Sequence, residues 1–515
     1  MKAVSPIASR FFANAARNAN KTALSCDGQD LTYGDLAQRT QALCLSLARR
    51  GVVEGDAVGI MLPNRPEFVV LMMTSASLGL LLVPINPTMP TSAAWRSFAA
   101  GDVKHLVAKG DVMRALAAAK GDNGGIGDGL WISVDGADGD FLNFTELASP
   151  HMADATDAAA WAPLIAADAP YILTMTSGST GSPKPILLTQ TTKINRANAA
   201  IAMYGVTADD ITLAATPLYH SLAERLINIP LLTGGTSILM SRFSASEWLK
   251  IVRDHKVSFT IAVSSQLGQI AQALETEEEP KSLRCIVSSS APIHPGLKSQ
   301  LLAKLVCEFH ECYGASEIAI ASTLSLRDET GKLASVGRAA PGVDIQILRD
   351  DGSPAKFGEA GEIACCTSML FGGYFKQPKT TAEAMWGAYF KTGDIGRLDE
   401  QGYLYYLGRK KEIIITGGIN VYPTDIETAA REYPGVSEVV VTSIPDDRLG
   451  EIVGIALVVQ DKGSFSLKSF RHHCAKALAD FQQPREFLIV DAIPLSALGK
   501  VDRKAVKELF HVMPA

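Results

Sequence analysis

An α/β fold with parallel sheets is predicted for most of this 515-residue chain, followed by a small antiparallel β unit and a compact α+β unit. Three observations predict it. Helical apolar spacing alternates with short apolar strands from residue 30 to about 265. Two β-like segments separated by Asp-Gly and Glu-Ala-Gly turns come next. Near Gly408 the character changes at a charge cluster, Arg409-Lys410-Lys411-Glu412, which sets the expected boundary between residues 1–408 and 409–515.

Taken in order, the first 21 residues carry Lys2, Arg10, Arg17 and Lys21 with no acid. They read as an amphipathic helix with Phe11 and Phe12 turned inward, because the long apolar core and cleavage-like site of a processed leader do not follow. Residues 36–50 repeat apolar positions at helical spacing, 57–62 read as a strand and 66–80 as a helix. The run 68–85 is uncharged, but Thr74, Ser75, Ser77 and Gly79 interrupt it and Pro84 and Pro87 follow, so it predicts a buried helix leading into a buried strand and no stable membrane span. The glycine-rich run 121–129 predicts a surface loop. Strands at 211–213, 236–240, 259–263 and 285–288 continue the alternation, and 344–348 with 362–366 form the antiparallel unit.

The bulk properties narrow the function. The chain is longer than one core usually organises, so two or more domains are expected. A net charge of −6 gives no footprint for nucleic acid. Eight cysteines without C-x-x-C spacing argue against zinc and against a disulfide framework. They predict buried free thiols in a reducing, cytoplasmic compartment.

The most informative segment is Thr176-Ser177-Gly178-Ser179-Thr180-Gly181-Ser182-Pro183-Lys184. Glycines open backbone conformations closed to other residues, hydroxyls and N–H groups turn toward anionic oxygens, and the lysine adds charge, so the segment suits a polyphosphate. It is not the P-loop signature, which places Lys directly after Gly. Ser290-Ala291-Pro292 after one strand, Tyr313-Gly314-Ala315-Ser316-Glu317 after another, Thr392-Gly393-Asp394, Gly417-Gly418-Ile419-Asn420 and Gly499-Lys500 also have the composition of ligand-facing turns.

In that order these segments resemble the adenylate-forming superfamily of acyl-CoA synthetases, peptide-synthetase adenylation domains and firefly luciferase, over nearly the whole chain. The resemblance implies a large N-terminal domain of two β/α subdomains plus a β unit, and a small mobile C-terminal domain. It implies two steps: a carboxylate attacks the α-phosphorus of ATP, and an acceptor then takes the acyl group and releases AMP. By the same resemblance Thr176, Ser177, Gly178, Ser179, Thr180, Gly181 and Lys184 handle the outer phosphates. Glu317 and Thr176 are the magnesium-associated residues, and Ser316 reaches the α-phosphate. Tyr313-Gly314 and Ser290-Ala291-Pro292 wall the adenine, Asp394 accepts from the ribose hydroxyls and Arg409 reaches ribose or phosphate. Lys411 is the hinge, Gly418 borders the pantetheine path and Lys500 is the catalytic lysine of adenylation. Pro185 stands where most relatives have glycine, which removes an N–H and stiffens the loop exit.

His220, in Pro217-Leu218-Tyr219-His220, matches a gate residue beside the carboxylate; as a plain histidine it reads equally as a buried, hydrogen-bonded side chain. Glu224 and Arg225 form an internal ion pair or bind a polar substrate group. The expected substrates are ATP with Mg²⁺, a fatty or aromatic acid with preference for a medium or long aliphatic one, and coenzyme A. A carrier protein is the alternative acceptor, and a nucleotide-binding protein without turnover is the rival of another class. A monomer or homodimer is expected.

Overall fold

The computed structural model describes residues 2–119, 129–137, 139–150, 164–166, 168–177, 183–293, 295–327, 329–495 and 501–512. The expected surface loop at 121–129 lies outside them except for its last residue, as do residues 178–182 and 496–500.

Two large sheets organise the first part of the chain. One has seven strands, with Pro183–Thr189 at its edge, then Pro170–Ser177, Leu81–Pro84 and Ala57–Met61 inward. The other has nine, with Phe259–Val263, Cys285–Ser289 and Glu308–Tyr313 as parallel neighbours. Five helices, Pro6–Arg17, Tyr33–Ala48, Pro66–Leu78, Gln190–Tyr204 and Ser221–Thr233, contribute to one continuous apolar core that draws on both sheets. Phe11, Phe68, Ile60 and Phe259 are fully buried in it, each contributing roughly 1.5–3 kcal/mol relative to exposure.

The sequence signals explain the local elements. Helix Pro6–Arg17 buries Phe11 and half-buries Phe12, as the inward aromatic pair predicts. Helix Pro66–Leu78 begins on proline and ends at Gly79 with φ +69°, and strand Leu81–Pro84 follows at once. The 68–85 run is therefore a buried helix and strand; among the described residues no helix is long and apolar enough to cross a membrane. All eight cysteines are free, seven of them buried and Cys366 half-buried.

Val343–Leu348 and Gly361–Thr367 pair antiparallel, within a five-stranded sheet that also takes Tyr389–Leu398 and Leu404–Arg409. After Arg409 a single 3₁₀ turn, Lys410–Glu412, leads into a separate five-stranded sheet with its own core around Ile414, Ile455 and Phe470.

Candidate active site

The phosphate-loop candidate joins two antiparallel strands, Pro170–Ser177 and Pro183–Thr189, with Ser177 opposite Pro183 and Thr176 opposite Lys184. Gly178, Ser179, Thr180 and Gly181 lie outside the described residues. Pro185 proves harmless to the ladder. Its carbonyl accepts from Phe375 N at 2.9 Å, on the side away from Pro170–Ser177. A strand residue's N–H points to the same side as its C=O, so the missing donor removes no bond between the two hairpin strands. That side is covered by residues 372–375, which also bond Leu187.

The strand end at Tyr313 leads into a tight turn. Ala321 N donates to Tyr313 O at 2.8 Å, and a Cβ on Gly314 would stand 1.9 Å from the Ala319 carbonyl oxygen, so only glycine fits. This turn carries Tyr313 at its start and Glu317 on its far side. Tyr374 Oη donates to Glu317 Oε1 at 2.9 Å while Lys184 Nζ sits 5.4 Å from the centre of the same ring. One tyrosine thus links the hairpin lysine to the glutamate. The Glu317 carbonyl accepts from Arg196 Nη2 at 2.9 Å and from Phe371 N at 2.7 Å, which fixes the backbone beneath the carboxylate.

Asp394 and Arg409 are directly opposite each other on paired strands. Arg409 Nη1 lies 2.9 Å from Asp394 Oδ1, and Tyr313 Oη donates to Oδ2 at 2.7 Å. Burial pushes the Asp394 carboxyl up to about 6 against the pull of Arg409 and Tyr313; the charges of Glu412 and Glu317 add to the rise. Asp394, Tyr313, Arg409 and Glu317 therefore converge. Tyr313 itself is only 9% exposed, and its hydroxyl is committed to Asp394.

Ser290 to Pro292 leave the adjacent strand as an exposed turn, with Ser290 at φ +81°, a conformation an L side chain rarely adopts. Ser288 pairs with Glu311, so the register sets Ser290 level with Tyr313. The turn is anchored from below: Ile293 N donates to Glu311 Oε1 at 2.8 Å, and Glu311 is ion-paired with Lys298, both fully buried. Ser316 lies in the turn from Tyr313 to Ala321, half-buried.

His220 caps helix Ser221–Thr233 at the end of the Pro217–Tyr219 segment, its ring 4.5 Å from that of Tyr219. Glu224 pairs with Lys193, not Arg225: Nζ to Oε2 is 2.7 Å, and Asn228 Nδ2 donates to Oε1 at 2.9 Å. Burial brings Lys193 down to about 8, opposed by Glu224. Both Glu224 oxygens are thus satisfied inside the protein.

At the junction, Lys410 reaches Glu362 at 2.9 Å on the large part, whereas Glu412 reaches Arg503 at 2.9 Å on the small part. Lys411 alone separates these opposite tethers. Arg503 also binds Glu427 at 2.9 Å. Lys500 lies outside the described residues, between Leu495 and Val501, which form a bridge with each other. Gly417 and Gly418, at φ +56° and +82°, make the two-residue turn between strands Ile414–Thr416 and Ile419–Val421. The turn type itself calls for two glycines.

Comparison with known proteins supplies the family. Residues 11–375 match the AMP-binding enzyme family, and residues 425–500 match the AMP-binding enzyme C-terminal domain. The chain belongs to the adenylate-forming superfamily. Within it, the relatives put this adenylate-forming protein on the acid:CoA ligase branch. It is 30% identical over 487 residues to the long-chain-fatty-acid–CoA ligase FadD13 of Mycobacterium tuberculosis, covering 93% of each chain. It is 29% identical over 505 residues to the indoleacetate–CoA ligase of Aromatoleum aromaticum, covering 96% of each. Its fold overlays the o-succinylbenzoate CoA synthetase MenE of Bacillus subtilis, solved with its acyl-adenylate intermediate, at a TM-score of 0.84 and 26% identity over 98% of each chain.

Sequence reading missed several supports of this adenylate-forming site: Tyr374, Arg196, Glu311 and Asn64. Asn64 accepts from Leu218 N at 2.7 Å and donates to the Thr216 and Met240 carbonyls, holding the segment that leads to His220. Only the paired glycines before Tyr374 gave a signal; the other three lie far in sequence from what they hold.

Proposed function

We propose that the protein is an ATP-dependent acid:CoA ligase that converts a carboxylic acid to its acyl-adenylate and then to the coenzyme A thioester, with AMP and pyrophosphate as the other products. The observation that carries this reading is the single turn from Tyr313 to Ala321. It holds the Asp394 anchor at one end and Glu317 at the other, with Tyr374 tying Glu317 to Lys184.

In this reading Asp394 accepts from the ribose hydroxyls, since a carboxylate has lone pairs beyond those used by Tyr313 and Arg409. The 290–292 turn and Tyr313 flank the adenine. The family likeness gives Lys184 and the hydroxyls of Thr176, Ser177, Ser179 and Thr180 the outer phosphates, and Ser316 the inner one. The carboxylate of Glu317 is a hard oxygen donor on a fixed backbone, which suits magnesium, with Thr176 as its companion; when bound, the ion would neutralise phosphate charge. The family likeness gives Lys500 the role of favouring the charge that builds between the incoming acid and the α-phosphate. His220 lies at the mouth of the acyl pocket. The small domain then turns about Lys411 and brings the Gly418 hairpin to the thiol path.

The acid is fatty or aromatic, with an aliphatic chain preferred. Glu224 supports this, because its carboxylate is consumed by Lys193 and Asn228 and is not offered to a polar substrate. The test is pyrophosphate release with panels of aliphatic and aromatic acids, followed by addition of either CoA or a phosphopantetheinylated carrier. Thioester formation on free CoA is the expected result. Failure of every acid in the panels to support pyrophosphate release would leave only nucleotide binding, and transfer to the carrier alone would replace CoA as acceptor.

A further inference from the structure

A second cluster of chemistry lies at the opposite ends of the strands that carry the nucleotide turns. Cys285 opens the strand Cys285–Ser289 and pairs in register with Glu308, which opens the parallel strand Glu308–Tyr313. Alternate residues of a strand share a face, so His310 stands on the same face as Glu308. Among the described residues these three are the one group of ligating side chains whose donor atoms, a thiol sulfur, a carboxylate oxygen and an imidazole nitrogen, all lie within 4.8 Å of one another.

We propose that Cys285, Glu308 and His310 bind a borderline divalent transition-metal ion of the zinc class, independently of the nucleotide site. The donor set is sulfur, nitrogen and oxygen, which suits such ions and not magnesium or calcium. Their spacing needs side-chain rotation of only about 1 Å to reach tetrahedral separations, with water as the fourth ligand. Access is graded: the Cys285 side chain is buried, His310 is 17% exposed and Glu308 is 67% exposed, so an ion enters past the carboxylate and meets the thiol last. As the metal–sulfur bond forms, the thiol proton leaves to solvent.

The rival occupant of this space is the neighbouring Arg284 guanidinium, and its donors are committed elsewhere. Nε and Nη2 hold Asp210 at 2.7 and 2.8 Å, and Nη1 and Nη2 hold the Tyr204 and Gly205 carbonyls at 2.9 and 3.2 Å. Ser290 lies five positions beyond Cys285, about 16 Å along the strand. The ion would cross-link the two strands at the ends remote from the nucleotide.

The experiment is titration of the full chain with Co²⁺, without nucleotide, read by the thiolate-to-cobalt charge-transfer absorption. One saturable equivalent is expected, displaced by Zn²⁺ and abolished in Cys285→Ala. Glu308→Gln and His310→Gln, at more exposed positions that spare the core, are each expected to weaken binding by at least about 10-fold, since even outer-shell partners carry that much. No charge-transfer band in the native chain overturns the proposal. So does a band that survives Cys285→Ala, or affinity unchanged in both glutamine variants.

Discussion

Tyr313 Oη donates to Asp394 Oδ2 at 2.7 Å while Arg409 holds the other oxygen, so the carboxylate is oriented from two sides within a buried site. With burial raising it to about 6, Asp394 ionises late for an aspartate. Between its unfolded value near 3.8 and 6 the folded chain binds the extra proton, so the contribution of this group to stability is largest at low pH and falls as pH rises through 6. With Asp394 as the proposed ribose acceptor, nucleotide binding should run the other way, because ribose hydroxyls need the ionised form. The KM for ATP should rise roughly tenfold for each pH unit below about 6. Asp394→Asn should raise KM at neutral pH and flatten this dependence; a wild-type KM with no pH dependence in that window sinks the assignment.

Glu317→Gln keeps an oxygen to accept from Tyr374, so the turn should fold unchanged. Loss of the negative charge should lower acid-dependent pyrophosphate exchange by about 10²- to 10³-fold. The Mg²⁺ concentration at half-maximal rate should rise as well. Exchange kinetics across a magnesium series measures both, and a native rate with native magnesium demand excludes Glu317 as the cation residue.

Lys193 and Glu224 join helix Gln190–Tyr204, which follows the phosphate hairpin, to helix Ser221–Thr233, which follows His220. Glu224→Leu leaves a buried ammonium without its partner and should destabilise the large domain by about 3–5 kcal/mol. Lys193→Met combined with Glu224→Leu should recover much of that loss. Denaturant unfolding of the native chain and the two variants tests the pair, and equal stability of the single and double variants counts against it.

Lys500→Ala should nearly abolish acyl-adenylate formation, by about 10²- to 10³-fold. A supplied acyl-adenylate should still be converted to thioester. Lys411→Pro, which stiffens the residue between the two opposite tethers, should spare the first half-reaction and slow the second. Single-turnover assays of each half-reaction separate these effects; equal losses in both steps argue against rotation at Lys411.

Much of this protein was legible before any fold was known. Apolar periodicity located the helix Pro66–Leu78 with its following strand and the antiparallel pair Val343–Leu348 and Gly361–Thr367, because these depend on neighbours in the chain. Turn composition marked the segments at 290–292, 313–317 and 417–418, but Thr392-Gly393-Asp394, expected as a turn, lies within strand Tyr389–Leu398, where Asp394 pairs with Arg409. The doubt raised by Pro185 could not be resolved that way, since whether a missing N–H matters depends on which side of an edge strand it faces.

Residue type and spacing by themselves determined the order of elements and the family, because each is a local property of a few consecutive residues. Tertiary structure alone decided that Glu224 belongs to Lys193, that Tyr374 joins Lys184 to Glu317, and that Cys285 meets Glu308 and His310. Those pairings follow from strand register and helix packing, which bring together side chains that nothing in the linear chain marks as neighbours.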